Sequence, residues 1–216
     1  MKKTIISCVL FLTAVTAFSQ TPMKTAAEAK LSASDLAVKI ADRILATTTY
    51  EFKNTKTGKT YKSVKNLPLD MNVKVACKYN NWHYTNGVTH IALMELADKT
   101  GAKKYDDYVL KNMNFVFNEG NLDFFKKQYD QAMKNEGWYG VRKLSWHMIF
   151  RGKRLDDNGP MGASLIDLQM KHPNNSFLNY INETAEHLNY GEPRLADGTI
   201  ARIWPHENTI WADDAF

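Results

Sequence analysis

Apolar positions recur at helical spacing along most of the chain, and polar or glycine-bearing stretches separate the runs. Leu36, Val38, Ile40, Ile44 and Leu45 form the first stripe, which closes at Thr47-Thr48-Thr49. Ser34 stands ahead of it and offers a hydroxyl to a free N–H of the first turn. Lys53 to Leu69 breaks the period: it is basic and polar, carries Gly58, and reads as an exposed loop or short hairpin ending at Pro68. A second helix opens near Trp82, with Val88, Ile91, Ala92, Leu93, Leu96 and Ala97 as its expected buried face. Thr100-Gly101 stops it, since glycine accepts the left-handed turn of a helix end. A third runs from Ala102 to Phe117 through Tyr105, Tyr108, Val109 and Met113, and Gly120 ends it. Leu122 to Met133 gives a fourth, Asp157 to Met170 a fifth stopped by His172-Pro173, and Phe177 to Leu188 a sixth. Asp197-Gly198, set between apolar residues, then signals a hairpin turn.

Helix after helix with short connections predicts an all-α domain. Thr100-Gly101-Ala102-Lys103-Lys104-Tyr105 and His172-Pro173-Asn174-Asn175-Ser176-Phe177 each join two helices, with an apolar run before and an aromatic after. They suggest a helical hairpin repeated after about seventy residues.

The first residues follow a different rule. Met1-Lys2-Lys3, an uncharged apolar run from Thr4 to Phe18, and the small residues Ala17 and Ser19 have the layout of a signal peptide cut after Ser19. The expected division is a signal peptide over 1–19, a linker over 20–33 and the helical domain over 34–216, in a secreted or periplasmic protein. The run is shorter than the ~20 apolar residues of a membrane span, so no span is expected once the signal is gone. Its loss would also change the charge. The whole chain carries 28 basic and 23 acidic residues, and without Lys2 and Lys3 a mild net of +3 remains. That balance argues against a dedicated nucleic-acid surface but leaves an acidic small substrate open. Cys77 would be the one cysteine of the mature domain, so no internal disulfide can form there.

Candidate chemistry lies in two acidic pairs. One is in Arg154-Leu155-Asp156-Asp157-Asn158-Gly159-Pro160-Met161-Gly162-Ala163; the other is Asp213-Asp214, set between Trp211 and Phe216. A carboxyl in an aromatic, partly dry setting has its charged form disfavoured, so it keeps a proton nearer neutral pH, as a general acid must. Asp156 or Asp157 also suits a helix cap, and Asp213-Asp214 suits an exposed chain end. Trp82, Tyr84 and Trp211 could stack on the flat face of a ligand or pack in a core. Arg202 could fork onto a carboxylate or form a surface ion pair. His206 could carry a proton or contact a carboxylate, whereas His90 and His147 read as ordinary polar positions. No zinc spacing and no glycine-rich phosphate loop occurs, so neither metal nor cofactor is expected.

Trp82-His83-Tyr84-Thr85-Asn86-Gly87, the Asp156-Asp157 motif, Leu195-Ala196-Asp197-Gly198-Thr199 with Arg202, and Thr209-Ile210-Trp211-Ala212-Asp213-Asp214 together resemble the unsaturated uronyl hydrolases. The resemblance is to glycoside hydrolase family 105 and its relative family 88, and it covers about Leu36 to Phe216. It implies an (α/α)6 toroid of helical hairpins, of which six helices fill only about the first half. It implies an enzyme that releases a 4,5-unsaturated uronic acid from lyase-cut oligosaccharides of the rhamnogalacturonan type. By it, Asp213 donates the proton and activates water, and Asp157, with Asp156 as the alternative, positions the sugar. Trp211, Arg202, His206, Trp82, Tyr84, Asp156 and Asp214 become candidate substrate contacts. The rival reading is a non-catalytic helical-repeat module that binds a glycan or protein. It has no need of acidic pairs beside aromatics, and it would end on a polar capping helix.

Overall fold

The computed structural model describes residues 32–117, 120–151, 155–202 and 206–210, with Asp157 described in its backbone alone. The expected signal segment and nearly all of the expected linker lie outside these residues, as do Trp211, Asp213 and Asp214. Two compact units are distinguished, 1–39 and 40–216. The described part of the first is the start of α1 (Ala33–Thr47). Its cap is Ser32, not the expected Ser34. The Asp35 N–H donates to Ser32 Oγ at 3.1 Å, and the Ser32 N–H donates to Asp35 Oδ2 at 3.2 Å. This reciprocal pair satisfies two donors that Ser34, inside the first turn, would leave free.

In the second unit α1 continues, with Ala41 buried and Ile44 and Leu45 against the core, while Ile40 stays exposed. The basic stretch after it holds three short strands, β1 (Phe52–Asn54), β2 (Thr60–Tyr61) and β3 (Val73–Val75), antiparallel in the order β2-β1-β3. Phe52 pairs with Tyr61 on one side and Val75 on the other. Its buried ring lies 5.7 Å from Phe115 and Phe124 and 5.8 Å from Phe125. Gln128 holds the sheet from beneath, its Nε2 donating at 2.8 Å to the carbonyls of Asp70 and Val73.

The remaining helices are α2 (Tyr84–Thr100), α3 (Lys104–Phe117), α4 (Asn121–Val141), α5 (Leu155–Lys171) and α6 (Asn175–Glu186), with a 3-10 turn at His147–Phe150 and a wide π turn at His187–Gly191. α2–α3 and α5–α6 are the two hairpins expected from the repeated connections. The expected buried face of α2 needs correction. Asn86, Gly87, His90, Leu93, Met94 and Ala97 are buried, whereas Val88 and Ala92 are exposed. α2 packs on both α5 and α3, so burial is two-sided and includes polar positions that a single apolar stripe does not mark. Gly101 closes α2 as expected, at φ 70°, with its N–H on the Ala97 carbonyl. Gly120, expected to end α3, instead precedes α4 as its cap at φ 70°. α4 runs past Met133 to Val141 and breaks at Gly137 (φ 59°, ψ −149°), a conformation open essentially to glycine alone.

Lys171, at the far end of α5, donates to Asp98 of α2 at 2.6 Å and to Asp106 of α3 at 3.3 Å. At the other end of the helices the core is aromatic: Trp146 stacks on Phe125 at 6.0 Å, and Trp82 is enclosed beside it. No described helix is long and apolar enough to cross a membrane.

Candidate active site

The site is assembled where α2 and α5 begin. His83 is extended (φ −155°, ψ 141°) and caps α2, its Nδ1 accepting from the Thr85 N–H at 3.3 Å and lying 2.9 Å from Thr85 Oγ1. A lone pair at Nδ1 puts the proton of the neutral ring on Nε2. Asn86 then ties the preceding loop to the helix, donating from Nδ2 to the carbonyls of Lys78 at 2.9 Å and Asn81 at 2.8 Å. Asn81 Oδ1 accepts from the Trp146 N–H at 2.7 Å. The approach to α2 and the segment that leads toward α5 are thereby joined.

α5 carries the first acidic motif, and its backbone comes unusually close to α2. A Cβ at Gly87 would stand 2.3 Å from the carbonyl carbon of Pro160 and 2.5 Å from the Met161 nitrogen. Glycine at 87 is therefore a packing requirement, one reason for Asn86-Gly87 opposite Gly159-Pro160-Met161. Asn158 is buried in the same turn, its Oδ1 accepting from the Tyr180 hydroxyl at 3.3 Å.

The later loop folds back onto this motif. Arg194 bridges Ile200 across the Asp197-Gly198 turn, Gly198 having φ 88°, and Arg202 bridges Thr209. Arg202 Nη2 donates to Asp156 Oδ1 at 3.0 Å, with side chains 11% and 33% exposed. Residues of two separate sequence motifs are thus in direct contact. Arg202 is a brace between them, and a substrate carboxylate would have to share it with Asp156. Asp156 also reaches His83 electrostatically: burial lowers the proton affinity of His83, and the Asp156 charge raises it in part. The ring of Tyr84 lies 4.6 Å from that of His83 at 32°, and Tyr84 is 46% exposed. It presents an open aromatic face beside the motif.

His147 stands next to this group. Its Nδ1 donates to the Leu144 carbonyl at 2.8 Å, and its ring meets Trp138 at 5.9 Å. Burial depresses its proton affinity, the bond to the Leu144 carbonyl partly offsets this, and Arg151, Arg142 and His83 depress it further. Arg151 lies over the ring of Trp138 at 5.1 Å. His206 is exposed on the returning hairpin, its carbonyl accepting from Thr209 Oγ1 at 2.8 Å.

One expected contact is corrected. Trp82 is fully buried, its ring 4.7 Å from Tyr180 and 6.3 Å from Phe117 and Trp146. Its face is filled by protein, so it cannot stack on a sugar. Asp157 stands in the first turn of α5. Trp211, Asp213 and Asp214 lie outside the described residues, which reach Ile210 on the strand segment that pairs with Arg202. His83 and Asn158 were given no role from sequence. The available signal was their place inside the Trp-His-Tyr-Thr-Asn-Gly and Asp-Asp-Asn-Gly-Pro stretches. Among the described residues no group of three or more His, Cys, Asp and Glu could hold a metal.

In a mostly helical frame, the starts of α2 and α5 thus gather an acid and an open tyrosine, and the later loop adds an arginine. The family model for Glycosyl Hydrolase Family 88 matches residues 54–216, and the chain belongs to that family. It is a glycoside hydrolase of the unsaturated uronyl hydrolase type. Comparison with curated proteins finds no match.

Proposed function

We propose that the protein removes a 4,5-unsaturated uronic acid from the non-reducing end of lyase-cut oligosaccharides of the rhamnogalacturonan type, outside the cytoplasm. The observation that carries the reading is the 3.0 Å pairing of Arg202 with Asp156, which brings the loop before the second acidic motif onto the first. Asp213 is the proton donor in this reading. It delivers a proton to C4 of the C4=C5 enol ether, and the same carboxylate then takes a proton from the water that adds at C5. The C5 hemiketal opens, and the sugar leaves from C1. No bond to the anomeric carbon is attacked, so the spacing rules for retaining and inverting carboxylate pairs do not govern the reaction. Asp157 orients the uronate, the open face of Tyr84 supports the ring, and Trp211 shields Asp213 so that its proton is retained. Trp211, Asp214 and His206 complete the proposed contacts.

The test is loss of the ultraviolet absorbance of the conjugated double bond when the protein meets an unsaturated galacturonyl-rhamnose disaccharide. Asp213→Asn should abolish that loss. Undiminished turnover in this variant rejects the assignment of Asp213. Faster turnover of an unsaturated glucuronyl-hexosamine disaccharide rejects the rhamnogalacturonan preference.

A further inference from the structure

One small element carries a run of lysines with no acid among them. Lys53, Lys56, Lys59, Lys62 and Lys65 recur every third residue along β1, its turn, β2 and the loop beyond, and all five are exposed. No acidic residue falls between Lys53 and Lys65. Among the described residues none of the five forms an ion pair. The carboxylate that senses one of them, Asp70 near Lys56, is already engaged by Asn72 and Asn54.

The lysines are carried on a built turn. Asn54 Oδ1 accepts from the N–H groups of Lys56 at 2.9 Å and Thr57 at 3.0 Å, the Gly58 N–H donates to the Asn54 carbonyl at 2.8 Å, and Gly58 takes φ 77°. Phe52 anchors the base of this hairpin in the core. The sheet also joins the end of α1 to the start of α2, where His83, Tyr84 and Asp156 stand. Its third strand touches the segment leading toward α5, with the Val75 N–H on Ser145 Oγ at 3.1 Å. The base of the sheet is thereby tied to the segment that leads toward α5.

We propose that this lysine hairpin is a docking surface for a uronate-bearing polysaccharide, holding the acidic polymer beside the site that trims its ends. The inference rests on the uronyl hydrolase reading for its choice of polyanion, because the partner offering repeated carboxylates is then the polymer that yields the substrate. One exposed pair contributes little. Five lysines on a fixed hairpin, facing a chain with carboxylates repeated along it, act together and raise the local concentration of chain ends. A disaccharide presents a single carboxylate and gains almost nothing from the surface.

The test compares the full chain with a variant in which Lys53, Lys56, Lys59, Lys62 and Lys65 are all replaced by Gln. The probes are polygalacturonate, a neutral galactan, duplex DNA and vesicles containing anionic phospholipid, at low and at physiological salt. The expected result is binding of polygalacturonate that weakens with salt, and a loss of roughly tenfold or more in the variant. Galactan should not bind, and DNA and vesicles should bind more weakly than polygalacturonate. Equal polygalacturonate binding by the variant overturns the proposal. So does tighter binding of DNA or vesicles, which would make the hairpin a surface for a different polyanion. Hydrolysis of the unsaturated disaccharide should be the same in both proteins. Absence of hydrolysis in both would count against the proposed activity while the binding comparison still decides the role of the hairpin.

Discussion

Arg202 and Asp156, 46 residues apart in sequence, are joined at 3.0 Å. The link binds the returning hairpin to the first turn of α5. Because both side chains are partly shielded, the pair contributes more than an exposed one, and loss of either leaves a charge with poorer solvation. A double-mutant cycle with Arg202→Ala and Asp156→Ala should give a coupling of about 1 kcal/mol in urea unfolding. Arg202→Ala alone should also reduce kcat/KM for the unsaturated disaccharide. Arg202→Lys should restore only part, because an ammonium lacks the planar fork. Additive single effects, with a coupling near zero, would contradict the brace.

His83 should separate into two roles by substitution. His83→Ala removes the α2 cap and the ring beside Tyr84, at a cost of about 1 kcal/mol for the cap. His83→Asn keeps a capping acceptor and loses the ring. The expected outcome is that His83→Asn melts near the wild type yet shows a raised KM, whereas His83→Ala loses both stability and affinity. A normal KM in His83→Asn would show that the ring next to Tyr84 does not matter to the sugar.

Acid should destabilise the fold through buried histidines. His90 is enclosed between α2 and α3, and burial lowers its pKa to about 4 from the usual 6.5. The unfolded chain takes up a proton as pH falls below 6.5, while folded His90 does not until about pH 4. Stability is therefore complete above 6.5 and falls through this window. His83 and His147, both shifted downward by burial, act in the same direction. Urea unfolding should show a loss on the order of 2 kcal/mol between pH 6.5 and 5 from His90. His90→Gln should flatten that limb, and an unchanged slope would exclude His90 as its source.

Gly87→Ala should be far more damaging than its size suggests. The added methyl would meet the α5 backbone at 2.3 Å, and a backbone cannot rotate aside as a side chain can. The expected loss is about 1–3 kcal/mol or more in urea unfolding. Gly162→Ala faces only Thr184 Cγ2 at 3.0 Å and should cost less. Equal costs would mean that the two helices can separate freely.

The succession of helices was legible because their apolar residues recur and because Gly101 and His172-Pro173 stop two of them. The α2 face was not legible. It is pressed from two sides and buries Asn86, Gly87 and His90, so no single stripe marks it. Phe52 hides in a lysine-rich stretch, and its pairing with Val75 lies beyond any local pattern. At the site, the pairing of Arg202 with a carboxylate was an open alternative in the sequence, but its partner was not. Trp82 shows the opposite failure. A tryptophan beside a motif suggests a sugar platform, and only the surrounding rings of Phe117, Trp146 and Tyr180 reveal that its faces are taken.

The seat of Gly87 against Pro160 fixes how closely the starts of α2 and α5 approach. Two helix starts held backbone to backbone cannot spread to admit a bulkier ring. If sugars bind here as proposed, discrimination falls to a part that can yield, the exposed ring of Tyr84. Changes of substrate preference should, on the proposed reading, be found around Tyr84 and not at the junction of α2 and α5.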